Sequence, residues 1–398
     1  MPNTFSSTFD CNLPAPPHPS ALPAPLPAQG LRAGGWLRPW QVRSDRMTPP
    51  RMVQLHRALG WVGLVVMVAF LAVSTQAQAQ SLKGWADWKR SYLQADGRVL
   101  DTAQKNISHS EGQGFAMVLA TAANDRAAFD TLWTWTQNNL ASARNDGLLA
   151  WRWEPGRGVT DTNTASDGDL FVAWALVRAN RQWKLPIHRE QAARMARAIR
   201  EKMVVDGTPW GTVLKPGVTG FDTPNGLVVN LSYWVFPAFE ALNEVDPHPQ
   251  WEALTRSGLR LTEIARFGRW QLPPDWLLLV NPLALSPQHP PRHGYDAVRI
   301  PLYLHWAGHT KSPADKARLE PFFKFWTQFD CAAFLPAWTN LLDNSIDSYG
   351  AEPGVAAIRT LVNTGKPPAK TPSATAQSYY AATLGLLVEV AAREGGKR

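Results

Sequence analysis

From about residue 82 onward, apolar residues recur mostly at intervals of three and four, the period that gathers them on one face of a helix. Trp85, Trp88, Tyr92 and Leu93 keep this spacing until Asp96-Gly97 breaks it. Asn124-Asp125 caps a further pattern carrying Phe129, Leu132, Trp133, Trp135 and Leu140. Between them, Phe115, Met117, Val118, Leu119 and Ala122 follow the stretch Ser108-His-Ser-Glu-Gly-Gln113. Ser110 and Gln113 stand at capping-box spacing, which predicts a helix opening at Glu111 with that carboxylate on its rim. Gly112 and Gly114 each weaken such a first turn by about 1 kcal/mol relative to alanine. That cost predicts a close approach to the backbone, with a substrate as the natural candidate.

The remaining patterns are of two kinds. A helix predicted from Ser166 is apolar all round through Leu170, Phe171, Val172, Ala173, Trp174 and Val177, so it should be buried on every side. Residues 227–242 and 295–306 read similarly. In contrast, residues 187–204 set Arg189, Arg194, Arg197 and Arg200 against Ala193, Ala196, Ile199 and Met203, and residues 251–266 are also amphipathic. Residues 314–329, 352–362 and 375–393 bring the expected helices to about eleven, with kinks or helix ends at Pro237 and Pro301. Strand signals are few and no linker divides the stretch. Residues 80–398 therefore read as one all-α domain, an inner ring of apolar helices inside an outer amphipathic ring, which is a double-layered α/α barrel.

The first eighty residues change the picture of the charge. Residues 1–50 are proline-rich without apolar periodicity and read as a disordered extension. Arg51 and Arg57 then flank an apolar run over 58–73, followed by Ala77-Gln-Ala79, the layout of a secretion signal over 51–79. A spanning helix needs about 20 apolar residues, so cleavage after Ala79 is expected rather than a membrane anchor, giving a periplasmic or secreted product. Because such signals open a chain, translation is expected to start at Met47 or Met52. The leader holds six arginines and two aspartates, so its removal lowers the formal charge from +8 to about +4. No cluster of basic residues with interleaved aromatics remains to suggest nucleic acid. Cys331 is the sole cysteine left, so no internal disulfide is expected, whereas sixteen tryptophans stay, as core residues or as flat platforms for sugar rings.

Three inner-type helices open on acids: Glu111, Asp167 within Asp167-Gly-Asp169, and Asp296 after Tyr295. Converging carboxylates repel, so at least one pKa must rise. Two carboxyl groups of unlike pKa are what glycoside hydrolysis needs, one to protonate the departing oxygen and one to activate water or attack. The segments around these acids are Ser110-Glu-Gly-Gln-Gly-Phe-Ala-Met117, the stretch ASDGDLFVAWALVRANRQW from Ala165 to Trp183, and Gly294-Tyr-Asp-Ala-Val-Arg299. Together they resemble glycoside hydrolase family 8, nearest its periplasmic endoglucanase branch that accompanies bacterial cellulose synthase. The resemblance spans about residues 82–390. One departure is Val172, where the family pattern prefers Ile or Met, a mild change on a buried helix.

The resemblance implies an (α/α)6 barrel and inverting endo-cleavage of β-1,4-glucan. Glu111 matches the general acid and Asp296 the general base. Asp167 matches an aspartate of the central sugar subsite, and since inversion needs no protein nucleophile it is expected to bind sugar and raise the pKa of Glu111. Tyr295 and Arg299 flank the base and are expected to orient the attacking water and to bond a sugar hydroxyl. Trp151 or Trp153 should stack on glucose, with Trp210 and, more weakly, Tyr349 as further platforms. No cofactor or metal is expected. The Asp161–Asp169 run lacks the glycine a calcium loop needs at Ser166, and the prolines between His289 and His293 exclude a zinc-binding helix. Expected partners are β-1,4-glucan chains and a cellulose synthase complex. Mixed-linkage glucan, xylan or chitosan hydrolysis, and a non-catalytic glucan-binding role, are the alternatives.

Overall fold

The computed structural model describes residues 82–330, 334–370 and 372–395. The extension, the signal segment and Cys331 lie outside these residues. Eleven α-helices occur among the described residues: α1 (Trp85–Tyr92), α2 (Ser110–Ala122), α3 (Arg126–Thr136), α4 (Ser166–Trp183), α5 (Pro186–Met203), α6 (Phe236–Asn243), α7 (Pro249–Ile264), α8 (Ile300–Trp306), α9 (Pro313–Gln328), α10 (Pro353–Thr364) and α11 (Tyr379–Glu394). Five of them, α2, α4, α6, α8 and α11, pack side by side in that order, and α11 closes back onto α2. Each has a second helix against it: α3 on α2, α5 on α4, α7 on α6, α10 on α8 and α11, and α1 on α11. The expected double-layered (α/α)6 barrel is therefore present. Its inner–outer alternation lapses once, between α9 and α10, where the described residues 334–352 form turns and a short strand instead of a helix.

The inner helices are as apolar as their patterns demand. Leu170 to Val177 of α4 and Phe115 to Thr121 of α2 are buried. Glycine sets the spacing between these two helices. A Cβ on Gly114 would stand 2.6 Å from the Phe171 Cβ, and one on Gly168 would stand 2.2 Å from the Ser110 Oγ and 2.7 Å from the Glu111 amide nitrogen. Neither contact is tolerable, so the glycines let the two N-termini meet. The Phe115 and Phe171 rings then seal the crossing edge to face, with centroids 4.7 Å apart.

Several sequence expectations need correction. Ser110 is not the cap of α2. His109 is, accepting from the Gly112 amide through Nδ1 at 3.0 Å, while Gln113 turns into the core to accept from Val99 N at 2.8 Å and donate to Thr136 Oγ1 at 3.0 Å. The close approach at Gly112 comes from protein, since its Cβ would lie 2.7 Å from the Tyr379 hydroxyl. Residues 227–242 are not one helix. Strand β7 (Gly226–Val229) pairs with β8 (Leu277–Leu279), a single turn covers Leu231–Tyr233, and α6 begins only at Phe236. The β-branched Val228 and Val229 suit that strand. Pro237 and Pro301 do mark helix ends as expected, sitting in the first turns of α6 and α8, where a missing amide costs nothing. A true interior proline, Pro321 of α9, frees the Ala317 carbonyl, which accepts from Arg266 Nη2 at 3.3 Å instead.

Strands are also more numerous than expected, eleven short ones among the described residues. They pair in the loops, where brief runs leave little alternation to read. One of these sheets shapes the mouth of the barrel: β1 (Ser108–His109), β2 (Arg152–Glu154) and β3 (Gly158–Asp161), paired in that order. It ends beside the start of α2, where Ser110 N donates to Trp151 O at 3.0 Å.

The glycine contact yields a prediction. Gly168→Ala should destabilise the fold by roughly 1–3 kcal/mol, as overpacking does, and should lower turnover by at least about 10-fold because the added methyl displaces Glu111. Denaturant melts and initial rates on a soluble β-glucan check it.

Candidate active site

The two helix N-termini that meet at Gly168 each carry an acid in their first turn. Glu111 of α2 and Asp167 of α4 come close enough to share a hydrogen bond between their side chains. The third acid arrives differently. Asp296 precedes a single turn, Ala297–Arg299, that leads into α8, and this turn carries Arg299 back over the carboxylates. Arg299 is only 2% exposed. Its Nη1 donates to Glu111 Oε1, its Nη2 donates to Asp296 Oδ1 and to Ser232 Oγ at 3.0 Å each, and Nη2 lies 3.6 Å from Asp167 Oδ2. One guanidinium thus ties all three acids together. The sequence expectation for Arg299 was a sugar hydroxyl, but here its two terminal nitrogens serve the carboxylates.

These groups line a cleft of about 390 Å³ together with Trp151, Tyr233 and Tyr295. Trp151 reaches it because β1–β2 pairing draws the loop against α2. Trp153 and Trp210 are not among the lining residues. The Trp153 ring packs edge-on against Trp135, with the Arg98 guanidinium 4.8 Å from its centre, and Trp210 sits in the turn between β4 (Val204–Thr208) and β5 (Gly211–Leu214), packed on the core. Residues two apart on a regular strand would share a face, but the register shifts between Arg152 and Trp153, so Trp151 and Trp153 part ways. The Tyr295 hydroxyl is paired with that of Tyr349 at 2.7 Å, and its backbone carbonyl accepts from Tyr380. Tyr349 is 52% exposed and stands on the rim.

The electrostatics differ from expectation at one point. Asp167 does not raise Glu111. Burial is the largest single influence on Glu111 and pushes its carboxyl up, but Arg299, His109 and the hydrogen bond from Asp167 outweigh it and hold Glu111 below the usual range. Asp167 goes the other way: burial and the Glu111 charge raise it well above the ordinary value against a weaker pull from Arg299. The two carboxyls are thus pushed in opposite directions, because Arg299 touches Glu111 and stands off from Asp167. Asp296 is pushed up to about 7, mainly by burial, with Asp275 and Glu111 adding to it and Arg299 opposing.

Sequence reasoning missed Asn230, Ser232 and Tyr233 because it assigned them to a helix. In the structure Ser232 donates to Asn230 Oδ1 at 2.7 Å and receives Arg299, while Tyr233 lies beneath the Arg299 guanidinium at 5.9 Å. Asn230, a turn-favouring residue interrupting an apolar run, was the available signal. Asp101 was missed too. It accepts from His109 Nε2 at 3.3 Å and so orients the ring that caps α2.

A double-layered α/α barrel whose open cleft gathers carboxyl groups in unlike electrostatic settings is an arrangement that suits glycoside hydrolysis. The comparisons with known proteins agree. The profile of Glycosyl hydrolases family 8 matches residues 58–394, and the chain belongs to that family. A probable endoglucanase of Novacetimonas hansenii is 37% identical over 331 residues, 82% of this chain and 94% of that protein. Among solved structures, the endo-beta-1,4-glucanase CMCax from Acetobacter xylinum aligns with a TM-score of 0.73 at 37% identity over 80% of this chain and 99% of that chain. The endoglucanase Cel10 from Klebsiella pneumoniae, a family 8 glycosyl hydrolase, aligns with a TM-score of 0.72 at 36% identity, covering 78% and 99%.

Asp169 offers a pH test of these surroundings. It is fully buried, accepts from Leu149 N at 2.9 Å through Oδ1, and has no hydrogen-bond partner for Oδ2 among the described residues; burial raises it well above the ordinary range. A raised folded pKa gives stability that is complete below the unfolded value, near about 4, and is lost as pH climbs toward the folded value. Asp169→Asn keeps the acceptor and cannot ionise. It should melt at least about 2 °C above the parent at pH 7, with the gap closing near pH 4, as calorimetry over that range would read.

Proposed function

We propose that this enzyme hydrolyses internal β-1,4-glucosidic bonds of cellulose or a related β-glucan with inversion. The observation that carries the reading is Arg299 bridging Glu111, Asp167 and Asp296 in the open cleft. The named relatives, endoglucanases, support the choice of glucan. In this reading Glu111 protonates the departing glycosidic oxygen and Asp296 removes a proton from the attacking water. Before a sugar binds, Asp167 keeps the proton and shares it with Glu111 through their hydrogen bond. A sugar hydroxyl that binds Asp167 favours its charged form and moves the proton onto Glu111, so binding arms the acid. Trp151 supplies a flat wall for a pyranose ring and Tyr295 the wall beside the base. Arg299 keeps the carboxylates close without mutual expulsion.

We further assign residues 80–398 as the catalytic domain, 51–79 as its export signal and the periplasm as its place of action, in keeping with the apolar run before Ala79. Work beside a bacterial cellulose synthase follows from the resemblance of its branch. Among the described residues, no helix is long and apolar enough to cross a membrane.

Glu111→Gln and Asp296→Asn should each lower turnover on carboxymethyl cellulose by at least about 100-fold while leaving oligosaccharide affinity largely intact. Full activity in Asp296→Asn would contradict its role as base, and reducing-end release lost from the parent chain with binding kept would leave only a glucan-binding protein. Because Asp296 must be ionised to act, kcat/KM should rise with pH through a midpoint near 7. Proton NMR of the first product should show the α-anomer; the β-anomer would exclude inversion. Rates across β-1,4-, mixed-linkage, xylan and chitosan substrates decide the glycan.

A further inference from the structure

Asp296 lies outside any helix. It stands between strand β10 (Arg292–His293) and a single turn, with no side-chain cap on that turn. Something else must hold it. The loop before β8 carries Asp275, which is 1% exposed and contributes nothing to the cleft lining. Its Oδ1 accepts from the amides of Gly294 and Ala297, both at 2.9 Å, one on each side of Asp296. Its Oδ2 takes Arg292 Nε at 3.0 Å, and its own amide donates to Arg292 O at 2.8 Å. Beside it, His293 Nδ1 donates to Pro273 O at 2.8 Å. A Cβ on Gly294 would lie 3.3 Å from Asp275 Oδ2 and 3.0 Å from Trp338 Cβ, so the glycine makes room for the carboxylate.

We propose that Asp275 is a positioning residue for the reaction, its carboxylate gathering the backbone around Asp296 and holding the base in the cleft. This rests on the reading of Asp296 as general base. Asp275 also acts on Asp296 through charge, raising it in company with Glu111 and against Arg299. The other groups facing Asp296 are Tyr233 and Tyr380, and those facing Asp275 are Arg292, His293 and Tyr380.

The test compares the full chain with Asp275→Ala, Asp275→Asn and Asp296→Asn on carboxymethyl cellulose from about pH 4 to 9. Asp275→Ala should lower kcat at least about 30-fold, a large part of a general-base contribution, with KM within about 3-fold. Asp275→Asn retains one oxygen for the two amides. It should recover kcat to within about 5-fold and move the acidic limb of kcat/KM to lower pH, because a neutral group replaces the charge that raises the base. Undiminished kcat in Asp275→Ala, or an Asp275→Asn whose limb stays in place, overturns the proposal. Should Asp275→Ala fail to fold, the limb of Asp275→Asn decides alone. An active Asp296→Asn would instead overturn the base assignment, and the role of Asp275 with it.

Discussion

A single buried guanidinium makes this site possible. Three carboxyl groups gathered at low exposure would expel one another, and burying even one charge unpaired costs several kcal/mol. Arg299 answers all three from within the barrel, reaching Glu111 with one nitrogen and Asp296 and Asp167 with the other. It reaches them because it follows Asp296 by three residues across one tight turn, which returns its side chain toward its own predecessor. The glycines of α2 and α4 provide the complementary half of the arrangement. Without the close crossing at Gly114 and Gly168, Glu111 and Asp167 would stand too far apart to share a proton or an arginine.

That arrangement resolves a conflict inherent in the position of Glu111. A helix N-terminus favours a carboxylate's charged form, yet an acid catalyst must arrive protonated. Burial of Glu111 works toward protonation, but Arg299, His109 and the hydrogen bond from Asp167 outweigh it. In the proposed reading the proton is kept one hydrogen bond away, on an aspartate that Arg299 holds less tightly. Asp296, more exposed than the other two acids and flanked by Asp275, sits near neutrality, where small changes in its surroundings alter its charge.

Much of this was legible in the sequence, and the exceptions share a physical cause. Helices apolar all round and helices with one wet face told the two layers apart, and the acids opening three of the buried patterns marked the cleft. What stayed hidden depended on short-range geometry. Apolar runs cannot separate a short strand from a helix, so residues 227–235 were assigned wrongly and Asn230, Ser232 and Tyr233 went unseen with them. Capping-box spacing at Ser110 and Gln113 was real as a pattern, but His109 won the cap because Asp101 orients its ring, a contact between strands and turns that spacing does not encode. The strand bulge between Arg152 and Trp153 likewise decided which tryptophan faces the cleft. The direction of the Glu111 and Asp167 shifts was out of reach, because it turns on which carboxylate Arg299 touches.

The central claim is that Arg299 leaves Glu111 ionised and the shared proton on Asp167 until a sugar binds. Neutron diffraction from crystals of the unliganded enzyme exchanged into heavy water locates that proton directly. The expected result is a deuteron on Asp167 within hydrogen-bonding reach of Glu111 and none on Glu111; a deuteron bound to Glu111 with Asp167 bare would contradict it.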